Sequence, residues 1–492
     1  MGRTKDYCTF LDSIHHPGPH RHKYIKVKMT NKTKIEEFKR RLKGKKTVVV
    51  GMGRTGVAVA EFLANRGAEV IVTEQKAESE LGTIPHRLHS LGVKVELGKH
   101  SPRTFLGSDL IVLSPGVNPG IPPLAKAKAK GIPIVSEIEL ASWYLDPPLI
   151  AVTGTNGKST TTSLIGHILS QSGKKVFVGG NIGTPLIEYL LHAEEADYIV
   201  AEISSFQLET IYSFKPQTAL LLNLDEDHLD RHSTFSSYAE AKGKIFLNQG
   251  PQDWAVINND DPAVRSLIPQ IRAQLLPFGR KEKGKRGVWL QDDGSILYRG
   301  ETEEERFSLK RVKIIGMHNI ENIMAAIGTA KLYAVAREVI QESLDSFKGL
   351  KHRLELVGEW KKVSFYNDSK ATNVASTLRA LMSFKQPIIL LAGGRDKGGD
   401  YSPLKDAIKE KVKALILMGE AKERMMASIG GLVPTYLVRE MEEGVRLAWE
   451  MADEGDVVLL SPACSSFDRF QDYRERGKIF KEIVFRLTRQ KG

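Results

Sequence analysis

Cysteine is scarce: Cys8 and Cys464 are the only two in 492 residues. They lie far apart without CxxC spacing, which argues against a disulfide framework and against a zinc site. Cys464 reads as a small buried residue. No apolar run approaches the roughly 18 to 20 residues that a membrane helix needs. The opening residues also lack the continuous apolar stretch of a signal peptide, so no membrane span is expected and the cytoplasm is the expected compartment. No short-period repeat is present, which excludes a solenoid. What is not scarce is ordinary globular material, with 41% hydrophobic and 26% charged residues. The length suggests about three domains at roughly 150 residues each. The formal charge of +12 fits anionic substrates and a basic surface, and no nucleic-acid partner is expected. Much of that excess falls in residues 1–44, a basic extension expected to be partly disordered, residues 1–28 above all.

Three α/β regions follow, all read from alternating apolar runs and helical stretches. The first, 45–148, opens with the strand Thr47–Gly51 and the turn GMGRTG, continues into the helical VAVAEFLANRG, and returns in AEVIVTE, a βαβ unit. Further strands at VKVELG, DLIVLSPG and IPIVSE imply an open parallel sheet, Rossmann-like in character, with Asp146-Pro147-Pro148 as the linker. The second, 149–349, begins with Leu149–Thr153 and carries the strands YIVAEIS, TALLLNL and WAVINN, with a hairpin-like elaboration at GVWLQDDGSILYRG. The third, 350–492, repeats the alternation with VSFYNDS, PIILLAGG, ALILMG, PTYLV and DVVLLSP, again Rossmann-like.

The sharpest chemical signal is GTNGKST, formed by Gly154, Thr155, Asn156, Gly157, Lys158, Ser159 and Thr160. A glycine turn between a buried strand and a helix aims backbone N–H groups at phosphate oxygens, and the helix dipole favours an anion there. Lys158 is placed to reach the outer phosphates of ATP, and a hydroxyl of Ser159 or Thr160 to help hold Mg²⁺. Only two residues separate the glycines, fewer than in the standard phosphate loop. Magnesium needs hard oxygen ligands. Glu202, at the end of the strand YIVAE, is one candidate. His228, among Asp225, Glu226, Asp227 and Asp230, is a second, although imidazole is less usual for this ion and such a histidine is more often a surface residue. The turn GMGRTG, with Glu74 about 20 residues on, also fits a dinucleotide fingerprint, so a nicotinamide-binding domain is a rival reading. No hydride-transfer constellation accompanies it.

Seven motifs, GTNGKST, AEISSFQLE, NLDEDHLDRH, GMHNIEN, KHRLE, NDSKATN and SPACSSFDRF, occur in the order and spacing of the Mur ligases, which this chain resembles from about Lys45 onward. The resemblance implies three domains: a Rossmann-like domain for the UDP substrate, a central P-loop ATPase-like parallel-sheet domain, and a Rossmann-like domain for the amino acid. It implies an ATP-dependent ligase in peptidoglycan precursor synthesis. The SSFQLE, NDSKATN and SPACSSFD versions imply UDP-N-acetylmuramoyl-L-alanine and D-glutamate as substrates, an acyl phosphate as intermediate, and a monomer.

Position by position, the resemblance implies that Lys158, His228 and Lys242 are catalytic, with Ser159, Glu202, His228 and a carbamylated Lys242 around Mg²⁺. It implies that Asn319, Asn322, Arg353 and Asp368 join the loop in binding ATP. Arg54, Thr55, Glu74, Gln75, Lys76, Ser114, Pro115, Gly116, Asn181, Ser204 and Gln207 match positions near the UDP substrate, Asn181 also lining the metal site. Lys370, Thr372, Lys397, Ser466 and Tyr473 match positions that contact D-glutamate or the transferring phosphate. The family often has phenylalanine where Tyr473 stands, and its GGxxK segment reads GGRDKGGD here. Contacts from different domains imply that closure of the third domain assembles the site and excludes water. A sister ligase acting on another amino acid or on folate, and a nucleotide-dependent binding protein without turnover, are the rival functions.

Overall fold

The computed structural model describes residues 35–192, 195–227, 229–282, 284–396 and 398–489. They build three sheets. The first comprises β1 (Lys46–Val50), β2 (Glu69–Thr73), β3 (Lys94–Glu96), β4 (Leu110–Leu113) and β5 (Ile134–Ser136). All pair in parallel in the order β3-β2-β1-β4-β5. Successive strands are added on one side of β1 and then on the other, and that reversal of strand order opens a crevice at the carboxyl ends of β1 and β4. The VVV of β1 and the LIVL of β4 are buried because helices cover both faces, which explains their unbroken apolar runs.

The second sheet comprises β6 (Leu149–Thr153), β7 (Val176–Gly180), β8 (Tyr198–Glu202), β9 (Thr218–Leu221), β10 (Trp254–Asn258), β11 (Gln274–Gly279), β12 (Gly287–Leu290), β13 (Ile296–Arg299) and β14 (Glu304–Phe307). Its order is β14-β13-β12-β11-β10-β9-β6-β8-β7. β6 lies between β8 and β9, parallel to both, so the loop that leaves it emerges at a reversal of strand order. The expected hairpin is β12 and β13, antiparallel with Leu290 opposite Ile296. It extends the main sheet through β12, which pairs in parallel with β11.

The third sheet comprises β15 (Glu355–Trp360), β16 (Val363–Asn367), β17 (Ile388–Gly393), β18 (Val412–Met418), β19 (Thr435–Leu437) and β20 (Val457–Leu460), in the order β15-β16-β20-β17-β18-β19. Only β15 runs antiparallel to its neighbour. Side chains alternate across it: Ile388 and Leu390 join one apolar cluster, Ile389 and Leu391 the other. Four strands, β7, β11, β14 and β15, were not among those read from the sequence.

The chain divides into two compact units. The first holds residues 35–146, 184–192 and 206–214; the second holds Pro147–Gly183, Glu195–Ser205 and the described residues from Lys215 onward, and so both later sheets. The two excursions of the first unit are tied down by buried carboxylates. Glu139 accepts the N–H groups of Tyr212, Ser213 and Phe214 at 2.8–3.1 Å and the indole N–H of Trp143 at 2.8 Å. Glu137 accepts the N–H of Ile187 at 2.7 Å. Burial pushes the Glu137 carboxyl up to about 7, against the pull of the backbone N–H groups of Ile187 and Leu186. No helix among the described residues is long and apolar enough to cross a membrane.

Candidate active site

β6 ends at Thr153 and the chain turns through Gly154 and Gly157 into the helix Lys158–Gln171. Gly157 has φ +83°, and a Cβ there would lie 2.1 Å from Asn322 Oδ1, so both its conformation and its surroundings demand glycine. The loop is pinned from the side of β9. Asn223 accepts the N–H of Thr155 through its carbonyl at 2.9 Å and that of Asn156 through Oδ1 at 2.8 Å. Thr155 Oγ1 accepts the N–H of Asp225 at 3.0 Å. The helix has no side-chain cap, which leaves its first N–H groups for an anion.

The functional side chains of this loop engage three other segments. Lys158 Nζ donates to the carbonyls of Gly154 at 2.8 Å and Thr155 at 2.9 Å, which leaves one N–H for a further acceptor. Ser159 Oγ donates to Glu202 Oε2 at 2.5 Å, and Arg353 Nη2 donates to the same Oγ at 2.8 Å. Asn181 Nδ2 donates to Glu202 Oε1 at 2.8 Å. Lys242 is buried and gives its Nζ to the Gly154 carbonyl at 2.9 Å. Burial, then the neighbouring Lys158 charge, hold its pKa well below the usual lysine range, against Asp227 and Glu202. Burial also lowers Lys158; Glu202 and Asp227 oppose that, and Arg353 adds to it. Thr160 is buried in the first turn of the helix.

Beside the loop, Asn319 and Asn322 project from the helix Met317–Leu332, linked by Asn322 Nδ2 to Asn319 Oδ1 at 3.1 Å. With Arg353, Asp368 and Lys370 they line a cleft of about 90 Å³ that reaches Gly157. Burial pushes the Asp368 carboxyl up to about 7, although Ser461 Oγ, the N–H of Leu354 and the charges of Arg353 and Arg476 favour its ionised form. Lys370 is pushed down to about 8 by burial first and the Arg353 charge second, and its Nζ lies 4.2 Å from the centre of the Tyr473 ring. The Tyr473 carbonyl accepts from Ser369 Oγ at 2.8 Å. Ser466 is buried, with its carbonyl accepting the N–H groups of Arg469 and Phe470. Thr372 lines a separate cavity of about 610 Å³ with Thr155, Asp225 and Asp227. His228 and Lys397 lie outside the described residues. Sequence reasoning missed Asn223, which holds the loop, and His318 and Arg379, which line the cleft; only the fold brings them there.

Within the first unit, the turn GMGRTG is closed by Glu74. Its Oε2 accepts the N–H of Met52 at 2.8 Å, and its Oε1 accepts those of Gln75 at 2.8 Å and Lys76 at 3.2 Å. Partial burial raises the Glu74 pKa, but these three bonds and the Lys76 charge outweigh it and hold the carboxyl below its ordinary value. Thr55 and Gly56 lie in the following helix, where a Cβ on Gly56 would meet the Gly51 carbonyl at 1.9 Å. Ser114 Oγ reaches that same carbonyl at 3.4 Å, and Pro115 and Gly116 follow at the end of β4. Arg54 forms a two-pronged pair with Glu188, at 2.7 and 2.8 Å. Gln207 is buried, and Ser204 is half-buried in the segment after β8.

Comparison with known proteins matches three consecutive segments. Residues 45–136 match the MurD-like N-terminal domain of Mur ligases, 152–330 the Mur ligase middle domain, and 352–464 the Mur ligase glutamate ligase domain. The UDP-N-acetylmuramoylalanine--D-glutamate ligase of Geotalea daltonii is 48% identical over 447 residues, which cover 91% of this chain and 98% of that protein. Its counterpart in Geotalea uraniireducens is 49% identical over 443 residues, 90% of this chain and 98% of that one. Two solved structures from Thermotoga maritima share the fold. One is the UDP-N-acetylmuramate-alanine ligase MurC, with TM-score 0.56, 21% identity, and coverage of 90% of this chain and 100% of that one. The other is the MurF ligase in complex with ADP, with TM-score 0.56, 18% identity, and coverage of 91% and 96%.

Proposed function

The chain belongs to the Mur ligase family, and from that premise we propose that it joins D-glutamate to UDP-N-acetylmuramoyl-L-alanine through an acyl phosphate. It is an ATP-dependent amide-bond ligase of peptidoglycan precursor synthesis. The observation that carries the reaction type is the meeting at Ser159. There a phosphate loop, the Glu202 carboxylate and the Arg353 guanidinium are joined by hydrogen bonds of 2.5 and 2.8 Å.

A carboxylate is a poor acyl donor because it has no leaving group; phosphorylation supplies one. Negative charge gathers around the γ-phosphate during that transfer, and positioned cations stabilise it. Lys158 and Arg353 take that role here, with the N–H groups of Gly157–Thr160 cradling the phosphates together with Gly154, Thr155 and Asn156. Asn319, Asn322 and Asp368 hold the rest of the nucleotide. Lys370, pushed down to about 8, and Thr372, Ser466, Tyr473 and Lys397 are proposed to anchor the D-glutamate carboxylates or the transferring phosphate by lysine and hydroxyl donors.

Ser159 Oγ and Glu202 suit Mg²⁺, which takes one or two carboxylates and keeps several waters. His228 and Lys242 complete the proposed set. A carbamate on Lys242 requires a neutral amine first, and the burial that lowers its pKa favours that form. When bound, the ion would neutralise charge between the outer phosphates. Arg54, Thr55, Glu74, Gln75, Lys76, Ser114, Pro115, Gly116, Asn181, Ser204 and Gln207 are the residues proposed for the UDP substrate. We place the reaction in the cytoplasm, where ATP is available.

Phosphate release tests this reading. Release is expected only when ATP, UDP-N-acetylmuramoyl-L-alanine and D-glutamate are supplied together. Equal release with L-alanine, L-lysine or glycine would point to a sister ligase. No release with any amino acid would leave a nucleotide-binding protein without turnover.

A further inference from the structure

We propose that Arg379 is a further nucleotide-binding residue, steadied by Asp225 and serving the base-and-sugar half of ATP. This rests on the ATP site proposed above. Arg379 sits on the helix Val374–Leu381, four residues after that helix passes Ala375. It lines two cavities that flank the first turn of the helix Met317–Leu332 and both reach Asn156 and Gly157. One is the cleft with Asn319, Arg353 and Asp368. The other, about 450 Å³, runs along the ends of β9, β10 and β11 past Asn258, Asp260 and Glu321, and its size is within the range of small-molecule sites.

The guanidinium is half used. Nη2 donates to Asp225 Oδ2, whereas Nη1 is buried without a hydrogen-bond partner among the described residues. A buried charged donor left unpaired is costly, so such groups are normally matched. A brace between the third sheet's helix and the β9 loop would need only the pair with Asp225. Nη1 has no part in that pair, and the residue that carries it lines both cavities.

Charge decides which part of the nucleotide it meets. Asp225, Asp260, Asp261 and Glu321 line the larger cavity against Arg280 and Arg379 alone. Arg280 is already engaged by Asp260 and Glu321 at 3.4 and 3.5 Å. An acidic lining repels phosphate, which has its own place at the helix N-terminus beside Lys158. It suits a base and sugar, whose amine and hydroxyl donors can meet carboxylates and whose ring nitrogens and oxygens can accept from Nη1. The arginine thus supplies a donor on a wall otherwise rich in acceptors.

The test compares ADP with inorganic tripolyphosphate by titration calorimetry on the full-length protein. Arg379→Ala is expected to weaken ADP ~10-fold or more, the scale of a hydrogen bond from a charged donor, while tripolyphosphate binding is unchanged and so reports an intact loop. Arg379→Lys keeps the charge but lacks the fork, and is expected not to restore ADP. Asp225→Asn, which loosens the arginine without removing it, is expected to cost less than Arg379→Ala. Unchanged ADP affinity in Arg379→Ala overturns the proposal. So does an equal loss of ADP and tripolyphosphate, which would make the residue a brace or a phosphate ligand. Wild-type protein that binds neither ligand would remove the ATP-site reading itself. Wild-type binding that Lys158→Ala abolishes keeps that reading whatever Arg379 does.

Discussion

Asp368 concentrates the conflict between stability and function in one side chain. It is buried, accepts from Ser461 Oγ at 3.0 Å and from the N–H of Leu354 at 3.2 Å, and still has its carboxyl pushed up to about 7. Its ordinary value is 3.8. Below about pH 4 both folded and unfolded chains hold the proton and the residue has no pH-linked effect. Between that value and 7 the unfolded chain binds fewer protons, so stability falls as pH rises; above 7 the full penalty is present. Asp368→Asn removes this linkage. The variant's stability advantage over wild type is expected to widen from pH 4 to 7, by at most ~1.4 kcal/mol per pH unit, and then level off. Urea denaturation at several pH values measures it, and a constant difference would contradict the assignment. The same substitution is expected to weaken ADP binding, because Asp368 lines the cleft proposed for the nucleotide. Nothing in the motif NDSKATN announces the raised pKa, which comes from burial by elements distant in sequence. The strand, glycine turn and helix that carry Lys158 and Ser159 were legible from the sequence alone. The link from Arg353 to Ser159 spans 194 positions and was approached only through resemblance.

At the scale of elements, the loop after β6 works because nothing projects from Gly157. Gly157→Ala would meet Asn322 Oδ1 and would hold a side chain at φ +83°. The strain is of order 1 kcal/mol or more before any shift of Asn322. Its effect is expected chiefly on the nucleotide, a loss of ADP affinity of at least ~10-fold (about 1.4 kcal/mol) with a smaller fall in melting temperature. Calorimetry and thermal unfolding on the same sample separate the two. A second element prediction concerns Glu139. Glu139→Ala removes the acceptor of the N–H groups of Tyr212, Ser213 and Phe214 in the first unit, the last of them buried. A cost of about 1–3 kcal/mol in chemical denaturation follows, the scale of a buried donor that loses its acceptor. A cost under about 1 kcal/mol would mean that water replaces the carboxylate. Strands with unbroken apolar runs, such as β1, β6 and β17, were readable because both faces are covered. β14 and β15 are polar edge strands, and β11 carries Pro277 inside the sheet, where a missing N–H argues against a strand. Tertiary pairing overrode the local signal in each.

For the whole molecule, the formal charge of +12 matters because every proposed substrate is an anion. Long-range attraction raises encounter rates and is screened as the Debye length falls from ~30 Å at 0.01 M salt to ~8 Å at 0.15 M. Accordingly, kcat/KM for ATP and for the UDP substrate is expected to fall with salt over that range, while kcat changes little, because the cations proposed to act on the bound phosphates, Lys158 and Arg353, would be too close to them to be screened. Two sources of positive charge can be told apart. Residues 1–44 carry much of the surplus, yet no family motif falls within them, whereas Lys158 and Arg353 lie close enough to Lys370 for their charges to lower its pKa. A chain beginning at Lys45 is therefore expected to keep most of the salt dependence of kcat/KM. If the shortened chain became insensitive to salt with kcat intact, the extension would be the steering element, and the local cations would act only after the substrate has arrived.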